Sequence, residues 1–542
     1  MTGTDARALR AAARVHFGWP TLRPAQLAAM RALMRGRDAL VVLPSGAGKS
    51  AVYQVPATQL PGPTIVVSPL LALQEDQIAA LGDRGDPLVR GVRVSSAETP
   101  RQRAEALDAV RAGQARFLFI TPEQLAGPDQ LAAVRALRPA LIAVDEAHCV
   151  SAWGYDFRPD YLTLGEVIAQ LGRPPVVALT ATASPPVRDD IVARLGLRDP
   201  YVVVAGLDRP NLFVEAVHCP DEESRWRRLV ALLRRDEGPG IVYLPTRRGV
   251  EELAARLTAA GFPATAYHGG MASGTRTRRH ERFLADQVPI MVATSAFGMG
   301  IDKANIRWVA HLALPDSPDS YLQEIGRAGR DNAPARAVLL HRPEDTALRR
   351  YFTGGLPDED ELRILAAALR GGPHTRTALR QRTGFGQRKL ARLLALLHDV
   401  RAAVTLPDNR VARPRYAPSP ERAARAARRE ARRQQTVQRS RVEMMRHFAE
   451  SRQCRTQALL AYFGEHMSNP CGHCDNCHAG HGETTAEGPF PLHSTVRHTE
   501  WGTGLVLRYE DDRMTVLFDD VGYKTLSVPV VEEQSLLVVE TP

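Results

Sequence analysis

The sequence predicts an α/β protein in which two tandem parallel-sheet lobes are followed by smaller modules. Short apolar segments recur along the chain up to about residue 345, and each is followed by polar or glycine residues and then by a helical pattern. Such segments are typical of parallel strands that are buried on both faces. The series runs once over 1–206 and again over 207–345. Beyond this point the composition changes, which indicates further domains.

Length, apolar content and charge limit the class of protein. A chain of 542 residues is too long for a single hydrophobic core. No apolar run has the length of a membrane span or the form of a signal peptide, so we expect a cytoplasmic protein without membrane contact. The formal net charge of +10 favours a polyanionic partner. The charge is uneven, because 413–441 holds ten Arg and two Glu whereas 492–542 holds nine acidic and four basic residues.

A phosphate-binding loop is predicted after the first apolar segment. Residues 41–43 are apolar, residues 44–50 read PSGAGKS, and a helical pattern follows. In such a loop backbone N–H groups bind phosphates, a Lys reaches the β- and γ-phosphates, and a Ser ligates Mg²⁺. The candidates for binding ATP and Mg²⁺ are Ser45, Gly46, Ala47, Gly48, Lys49 and Ser50. Leu43 stands where the usual spacing has a glycine, so a chance turn is the alternative for the loop alone.

Two carboxylates follow another predicted strand about a hundred residues later. Asp145 and Glu146 come directly after the apolar segment 141–144. Ligand sites in α/β proteins form at the carboxyl ends of strands. Asp145 suits coordination of Mg²⁺, and Glu146 suits activation of a water for attack on a γ-phosphate. Together with Lys49, this pair predicts ATP hydrolysis.

An aromatic and basic segment begins a few residues beyond the carboxylates. Trp153, Tyr155, Phe157 and Arg158 are side chains that stack on unpaired bases and bind phosphates. Ser68 follows a predicted strand and opens a helix, where its hydroxyl can bind a DNA backbone, and a simple helix cap is the alternative. The combination predicts a protein that hydrolyses ATP to move along nucleic acid.

The second lobe ends in an arginine-containing segment. The sequence QEIGRAGR begins at Gln323 and places Arg327 and Arg330 at the i+4 and i+7 positions of one predicted helix face. A pair of arginines can neutralise the charge that develops on a γ-phosphate during its transfer. The alternative is a solvated basic helix. Gly326 and Gly329 argue against that alternative because they lower helix stability without a packing need.

These segments together resemble the RecQ family of superfamily 2 DNA helicases. The resemblance covers roughly 10–345 in collinear order, and it is carried by 145–161 (DEAHCVSAWGYDFRPDY) and by 323–331 (QEIGRAGRD). It implies two RecA-like lobes, ATP and Mg²⁺ as cofactors, and a 3′-to-5′ DNA helicase that acts on single-stranded and tailed or forked DNA in repair or recombination. The family usually has Gln and His where Ala152 and Tyr155 stand, so the coupling of DNA binding to hydrolysis is the weaker prediction.

The resemblance also implies roles for individual residues. They are Trp19, Arg23 and Gln26 for adenine binding, Trp153, Phe157 and Arg158 for coupling DNA binding to hydrolysis, and Gln323, Arg327 and Arg330 for the catalytic motif of the second lobe. The side chain of Gln26 can pair with the N6 and N7 edge of adenine, and Trp19 can stack on the base. For these two residues, a helix start with a core aromatic is the alternative.

Four cysteines near the C-terminus predict a zinc site. The spacing C-x16-C-x2-C-x2-C is formed by Cys454, Cys471, Cys474 and Cys477. In a cytoplasmic chain such a cluster indicates a metal rather than disulfides. The spacing matches the RecQ zinc module, and four thiolates favour a closed, structural Zn²⁺ site within a helical module at 413–480. His473 and His478 lie nearby and are interpreted as loop residues that do not bind the metal.

Two further modules are predicted outside the lobes. The insertion 346–412 shows three helical segments, a Gly-Phe-Gly turn and a short hairpin, which favours a winged helix over a helical spacer. Its possible phosphate contacts are Arg380, Arg382, Arg388, Lys389 and Arg392. After a linker at 481–491, the alternation in 492–542 predicts a small five-strand barrel. This tail resembles the Tudor/SH3-like tail of UvrD/Rep-type helicases, which together with its acidity favours protein docking, with RNA polymerase as the implied partner and a stabilising end-cap as the alternative.

Three functions are consistent with these sequence features. The leading hypothesis is a nucleoid-associated, ATP-dependent 3′-to-5′ DNA helicase. The second is a DNA-stimulated ATPase that acts as a scaffold or translocase without strand separation and docks partners through 492–542. It gains weight because the chain after Cys477 has no room for the winged helix that usually follows the RecQ zinc module. The third is an RNA-dependent ATPase, because base stacking does not distinguish RNA from DNA.

Overall fold

The computed structural model describes most of the chain and divides it into two compact units. The described residues are 4–44, 46–69, 71–82, 86–151, 161, 164–298, 303–347, 355–406, 410–465, 467–481, 488–492 and 494–540. The first unit comprises Met1–Leu43, Ala47–Ala205 and Gly355–Gln435, and the second comprises Pro44–Gly46, Gly206–Gly354 and Thr436–Pro542. Among the described residues, no helix combines the length and the apolarity that a membrane crossing requires.

A seven-stranded parallel sheet forms the centre of the first unit. Its strands are β1 (Ala39–Val42), β2 (Thr64–Val67), β3 (Gly91–Val94), β4 (Phe117–Ile120), β5 (Leu141–Val144), β6 (Val176–Thr180) and β7 (Tyr201–Val204). They pair in the order β3-β4-β2-β5-β6-β1-β7. Every residue of β1, β2, β4, β5 and β6 is buried, which explains their uninterrupted apolar sequences. The parallel order brings the carboxyl ends of β1, β5 and β6 to one edge of the sheet.

Helices enclose this sheet and create a hydrophobic core on each face. They are α1 (Thr4–Phe17), α2 (Pro24–Met34), α3 (Ala51–Ala57), α4 (Leu71–Leu81), α5 (Pro100–Arg111), α6 (Pro122–Leu125), α7 (Pro128–Ala136), α8 (Leu164–Gln170) and α9 (Pro185–Leu195), with 3-10 turns at Pro87–Val89 and Ala147–Val150. Leu40 and Val42 of β1 enter one core, and Ala39 and Val41 enter the other. Many of these helices begin with a proline, whose missing N–H has no partner in the first turn of a helix.

A six-stranded parallel sheet forms the centre of the second unit. Its strands are β8 (Leu212–His218), β9 (Gly240–Tyr243), β10 (Ala264–Tyr267), β11 (Ile290–Ala293), β12 (Trp308–His311) and β13 (Ala335–His341), paired in the order β10-β11-β9-β12-β13-β8. Its helices are α10 (Glu222–Arg235), α11 (Arg247–Ala259), α12 (Ser273–Leu284) and α13 (Pro318–Ile325). The two parallel sheets confirm the predicted fold of two tandem α/β lobes.

Residues 355–412 of the predicted insertion belong to the first unit. They form α14 (Glu359–Ala368), α15 (Arg376–Thr383) and α16 (Gln387–Asp399), followed by the short antiparallel pair β14 (Val404–Thr405) and β15 (Val411–Ala412). His374, between α14 and α15, pairs with Val411 as a third antiparallel segment. The insertion is attached through Asp399, which accepts hydrogen bonds from Arg194 of α9 at 3.3 Å and from Gln434 at 3.1 Å. The predicted hairpin tip at 407–409 lies outside the described residues.

A long helix and two small modules complete the chain. The helix α17 runs over Pro420–Glu450, and the division between the two units falls after Gln435. The cysteine module contains α18 (Arg455–Tyr462) and α19 (Asp475–His478), and both pack in the second unit. The C-terminal β module, which we define as residues 488–540, contains β16 (Thr495–His498), β17 (Gly502–Glu510), β18 (Arg513–Phe518), β19 (Gly522–Ser527), α20 (Val528–Glu533) and β20 (Leu537–Val539).

The C-terminal β module is an antiparallel sheet in the order β19-β18-β17-β16-β20. The five predicted strands are therefore present. Within the part of this module that the structure describes, β19 and β20 are edge strands that do not pair with each other, so the sheet is open. The position of Gly504 in β17 requires a glycine, because a Cβ there would lie 2.6 Å from the Phe518 ring.

Candidate nucleotide and zinc sites

The predicted phosphate loop connects β1 to α3. Gly46 and Gly48 have φ angles of 79° and 75°, a left-handed conformation that glycine adopts without steric strain. The Nζ of Lys49 donates a hydrogen bond to the Leu43 carbonyl at 3.2 Å. Leu43, the residue that departs from the usual glycine spacing, is buried in the core. It therefore anchors the start of the loop with its side chain and orients the lysine with its backbone.

Gln26 of α2 holds this loop in place. Its Nε2 donates to the carbonyls of Ala47 and Gly48, each at 3.0 Å, and its Oε1 accepts from the backbone N–H of Arg23 at 2.8 Å. A Cβ on residue 48 would lie 2.7 Å from Nε2, so a glycine is needed for this approach. The amide of Gln26 is thus engaged by protein groups, and its contact with adenine stays a prediction. Trp19 is half-buried and stacks on Phe17, with ring centroids 4.7 Å apart.

Asp145 lies buried at the carboxyl end of β5. Its Oδ2 accepts a hydrogen bond from Gln77 Nε2 of α4 at 2.7 Å, and its Oδ1 accepts from the backbone N–H of Glu146 at 2.9 Å. Burial and the neighbouring Glu146 carboxylate raise the pKa of Asp145 to about 6, although Lys49 and Gln77 favour its charged form. A divalent cation would favour the charged form further, so this carboxylate is suited to bind Mg²⁺.

Glu146 connects the carboxylate pair to the end of β6. Its Oε2 lies 3.4 Å from Nδ1 of His148, and the same Nδ1 lies 3.0 Å from the Thr180 hydroxyl. That hydroxyl donates to the Thr182 carbonyl at 3.0 Å. Hydrogen bonds through His148 and Thr180 therefore join the DEAH segment to residues 180–182 (Thr-Ala-Thr), and Glu146 approaches His148 at ion-pair distance. Such a chain can transmit a displacement at one strand end to its neighbour.

The arginine segment of the second unit follows α13. That helix ends at Ile325, and the residues that follow it form turns. The prediction that Gln323, Arg327 and Arg330 share one helix face is therefore wrong. The physical reason lies at Gly329, which has a φ of 61° and so leaves the helical conformation.

Packing around Gly329 explains this early helix end. A Cβ at that position would lie 2.5 Å from Asn211 Nδ2 and 2.8 Å from the Ala333 carbonyl. Asn211 Nδ2 and Arg209 Nη2 donate to the Gly329 carbonyl at 2.9 Å and 2.8 Å. The turn is thus bound to the start of β8, and this contact places the arginines.

Arg327 is buried among polar aromatic residues. It lies beside Tyr243, whose hydroxyl donates to the Phe297 carbonyl at 2.7 Å. The Tyr243 ring stacks on His311, and Nε2 of His311 lies 2.8 Å from Glu324 Oε2. Sequence reasoning did not identify His311, because it carries no motif and meets Glu324 only through folding. Gln77 was missed for the same reason.

The four predicted zinc ligands come together in the second unit. Their Sγ atoms all lie within 4.8 Å of one another, and those of Cys471 and Cys477 are 4.0 Å apart. A tetrahedral site with Zn–S bonds of ~2.3 Å requires sulfur atoms about 3.8 Å apart, so the four thiolates fit Zn²⁺. Backbone N–H groups point at three of the sulfurs, for example from Arg455 to Cys474 at 3.4 Å. Such donors stabilise thiolates, and a site with four sulfur ligands is structural.

The two nearby histidines have other partners. His473 Nδ1 lies 2.6 Å from the Cys471 carbonyl, and the His478 ring contacts Phe213. Among the described residues the four cysteines alone form the ligand group, as predicted. Asp475 ties the module to β8 by accepting from the Ala216 N–H at 2.9 Å.

The structure leaves the predicted DNA contacts untested. Trp153, Phe157 and Arg158 lie outside the described residues, as does Ser45 of the phosphate loop. Ser68 is fully buried, so its contact with DNA stays a prediction. Arg23 is exposed beside the start of α2.

Comparison with known proteins first defines the class. The DEAD/DEAH box helicase model matches residues 23–191, and the model of the helicase conserved C-terminal domain matches 224–332. These two matches lie within the two parallel-sheet lobes. The RecQ zinc-binding model matches 419–478, which includes the four cysteines. The chain therefore carries a DEAD/DEAH box helicase domain, a helicase conserved C-terminal domain and a RecQ zinc-binding region, in that order.

Individual relatives agree with this assignment. The chain is 38% identical to the probable ATP-dependent DNA helicase RecS of Bacillus subtilis over 61% of its own length and 66% of that protein. It is 34% identical to the ATP-dependent DNA helicase RecQ of Haemophilus influenzae over 85% of its own length and 62% of that protein. The chain thus spans less than two thirds of the length of these relatives.

Solved structures show the same fold. The structure of the Mycobacterium smegmatis helicase Lhr bound to ssDNA and AMP-PNP matches with a TM-score of 0.50 at 22% identity. The match covers 79% of this chain and 62% of Lhr. At this identity the likeness supports the architecture alone.

Proposed function

We propose that the protein is an ATP-dependent DNA helicase of RecQ type. One observation carries the proposal: the phosphate loop after β1 and the Asp145–Glu146 pair after β5 lie at the same edge of the first sheet, where the charge of Lys49 acts on Asp145. This is the arrangement that ATP hydrolysis requires. The relatives RecS and RecQ, which are named as ATP-dependent DNA helicases, support DNA as the partner.

The residues of the first unit divide the chemistry between them. Lys49 and the loop N–H groups bind the β- and γ-phosphates, and Ser50 and Asp145 hold Mg²⁺, which neutralises phosphate charge when bound. Glu146 accepts the proton of the attacking water. In the second unit, Arg327 and Arg330 supply positive charge for the transferred phosphate.

DNA binding is assigned to the segment that follows the two carboxylates and to the insertion. We assign coupling between DNA and hydrolysis to Trp153, Phe157 and Arg158, whose side chains stack on bases and bind phosphates. The substrates proposed are single-stranded and tailed or forked DNA, the direction is 3′ to 5′, and the setting is DNA repair or recombination in the cytoplasm at the nucleoid.

The insertion supplies a second, duplex-binding surface. Its helix, bridge, helix, helix and hairpin follow the order of a winged helix. From 370 to 398 the insertion has seven basic residues and no acidic one. The five predicted phosphate contacts, Arg380, Arg382, Arg388, Lys389 and Arg392, are all exposed. We therefore assign to this surface the duplex contact that a winged helix after the zinc module would otherwise make.

A strand-displacement assay tests the proposed function. The full chain is given ATP, Mg²⁺ and a duplex with a 3′ single-stranded tail, beside a 5′-tailed duplex and an RNA duplex. We expect displacement of the 3′-tailed DNA only, and none with Lys49→Ala. Displacement of the 5′-tailed duplex would overturn the direction, and displacement of RNA would overturn the substrate. ATP hydrolysis that no oligonucleotide stimulates would overturn the function as a whole.

A second candidate function is a DNA-stimulated scaffold that docks a protein through the C-terminal β module. The observation that favours it is a set of three exposed valines in this module, which we call the valine patch. Val530 of α20 and Val538 and Val539 of the edge strand β20 are 41%, 65% and 42% exposed. Glu532, Glu533 and Glu540 border this patch in sequence, so a basic partner surface fits. Purified RNA polymerase is the partner to test, by pull-down with the wild-type chain and with Val538→Asp. Equal capture by both would exclude docking at this patch.

A further inference from the structure

A buried polar cluster joins three parts of the second unit. We define the tetrad as Asp319 of α13, Arg441 of α17, Tyr462 of α18 and Tyr523 of β19; all four side chains are at most 5% exposed. The Tyr462 hydroxyl donates to Asp319 Oδ2 at 2.5 Å. The rings of Tyr462 and Tyr523 stack, with centroids 4.9 Å apart and planes at 22°. Arg441 is buried beside these residues, and its positive charge favours the charged form of Asp319.

Beside the tetrad, the backbone of β19 in the C-terminal β module closely approaches α17. The Tyr523 N–H donates to Ser440 Oγ at 3.1 Å, and that hydroxyl donates to the Val437 carbonyl at 2.7 Å. A Cβ on Gly522 would lie 2.3 Å from Ser440 Oγ. Gly522 also has a φ of 72°. The contact between β19 and α17 therefore depends on a glycine at that position and is a built interface.

A second group of hydrogen bonds fixes the module against the zinc region. Gln453, next to the ligand Cys454, donates to the Tyr509 carbonyl at 2.6 Å and accepts from Arg508 Nη1 at 2.9 Å. Glu510 accepts from Ser451 at 2.5 Å and pairs with His447. Two separate contacts of this kind leave the module little freedom to rotate on its linker.

The tetrad acts on the helix that leads to the arginine segment. Asp319 lies in the first turn of α13, whose N-cap is Ser317. Tyr321 of the same helix packs on Phe448 of α17, with centroids 5.3 Å apart. The helix is only eight residues long, so a displacement at its first turn moves its last turn and the arginines that follow.

We infer that the C-terminal β module is a working part of the motor, in which Tyr523, Tyr462 and Arg441 are positioning residues for Gln323, Arg327 and Arg330. Through Tyr523 and Tyr462, the module supports the first turn of α13. Residues directly before β8 bind the turn that follows this helix. The inference rests on the proposed ATPase activity. It differs from a tethered docking module, whose loss would leave turnover unchanged.

The test compares variants of the full chain in a DNA-stimulated ATPase assay. Tyr462→Phe removes one oxygen atom and the bond to Asp319, Tyr523→Leu removes the stacked ring, and Tyr523→Phe keeps that ring. Glu500→Gln, at an exposed site of the same module, is the matched control. The readouts are kcat and KM for ATP, with nucleotide-binding stoichiometry and zinc content to count correctly folded molecules.

We expect Tyr462→Phe and Tyr523→Leu to lower kcat per bound nucleotide by about tenfold, since a shift of ~1 Å in a catalytic group can cost up to ~100-fold. KM should change little, and Tyr523→Phe and Glu500→Gln should keep wild-type turnover. A purely structural role would lower the folded fraction and leave kcat per bound nucleotide intact, and that result would overturn the inference. If Tyr523→Leu does not fold, Tyr462→Phe decides. An inactive wild type would instead overturn the proposed function and, with it, the inference.

Discussion

At the scale of single residues, the backbone of Glu146 is held in a strained conformation. Its φ and ψ are both 47°, and a non-glycine residue in this region costs about 1–3 kcal/mol. The surroundings maintain it, because its N–H donates to Asp145 and its carbonyl accepts from Cys149 at 2.9 Å. Backbone strain of this kind is maintained at positions where it orients a functional group. Here the strained residue carries the carboxylate that we assign as the general base.

The substitution Glu146→Gln tests that assignment. It preserves the volume of the side chain but removes its capacity to accept a proton. We expect kcat for ATP to fall by about 100- to 10,000-fold, the range of a general base, while ATP binding is retained in an equilibrium titration. Glu123→Gln, at an exposed site at the start of α6, is the matched control. Normal turnover in Glu146→Gln would show that another group takes the proton.

Gln26 presents a choice between two roles that one substitution separates. In the structure its amide binds the carbonyls of Ala47 and Gly48. Loss of a buried donor pair typically costs about 1–3 kcal/mol, so Gln26→Ala should weaken nucleotide binding by roughly 5- to 150-fold. Competition titrations with ATP and GTP are the measurement. Equal weakening of both supports the loop-holding role, whereas selective weakening of ATP supports adenine recognition.

At the scale of elements, the zinc site fixes α18, the helix that carries Tyr462 of the tetrad. Cys454 is the N-cap of α18, and α18 ends at Tyr462 of the tetrad. We expect Cys454→Ser to lose its zinc and to melt at a lower temperature, because structural Zn²⁺ supplies on the order of 10 kcal/mol of folding free energy in small modules. Elemental analysis and thermal unfolding measure both effects.

Cys219→Ser is the control for the zinc prediction. Cys219 is also buried in the second unit but lies outside the ligand group. Its substitution should leave one zinc per chain. Full zinc content in Cys454→Ser would contradict the assignment of this thiolate as a ligand.

The insertion can be tested through its charge. Arg380 and Arg388 are exposed and have no ion-pair partner among the described residues. Reversal of both to Glu should weaken binding to a tailed duplex and lower the slope of log affinity against log salt by about 0.9 for each phosphate that the variant no longer neutralises. Arg363→Glu, an exposed site on α14, is the control. An unchanged slope in the double variant would remove this surface from the DNA path.

Over the whole molecule, local sequence patterns predicted the strands and the zinc ligands. They did not predict contacts between residues that are far apart in the sequence. The buried strands of both sheets were predictable because each is a continuous apolar run between turn residues. The zinc ligands were predictable because their spacing is itself the signal. The end of α13 was not, because it depends on Gly329 packing against Asn211, 118 positions away in sequence. The attachment of the C-terminal β module was missed likewise, since Tyr523 meets Ser440 across 83 positions.

Coupling between DNA and hydrolysis is a property of the whole molecule, and Trp153→Ala probes it. An aromatic side chain that stacks on a base contributes about 1–3 kcal/mol, so its loss should lower DNA stimulation of the ATPase by roughly 5- to 100-fold at fixed DNA concentration. The nucleotide affinity without DNA should stay at the wild-type value, because no residue of the phosphate loop is altered. Trp226→Ala, which replaces a partly buried tryptophan of α10 in the second unit, controls for loss of an indole. If Trp153→Ala keeps full DNA stimulation, the segment after the carboxylates does not sense DNA.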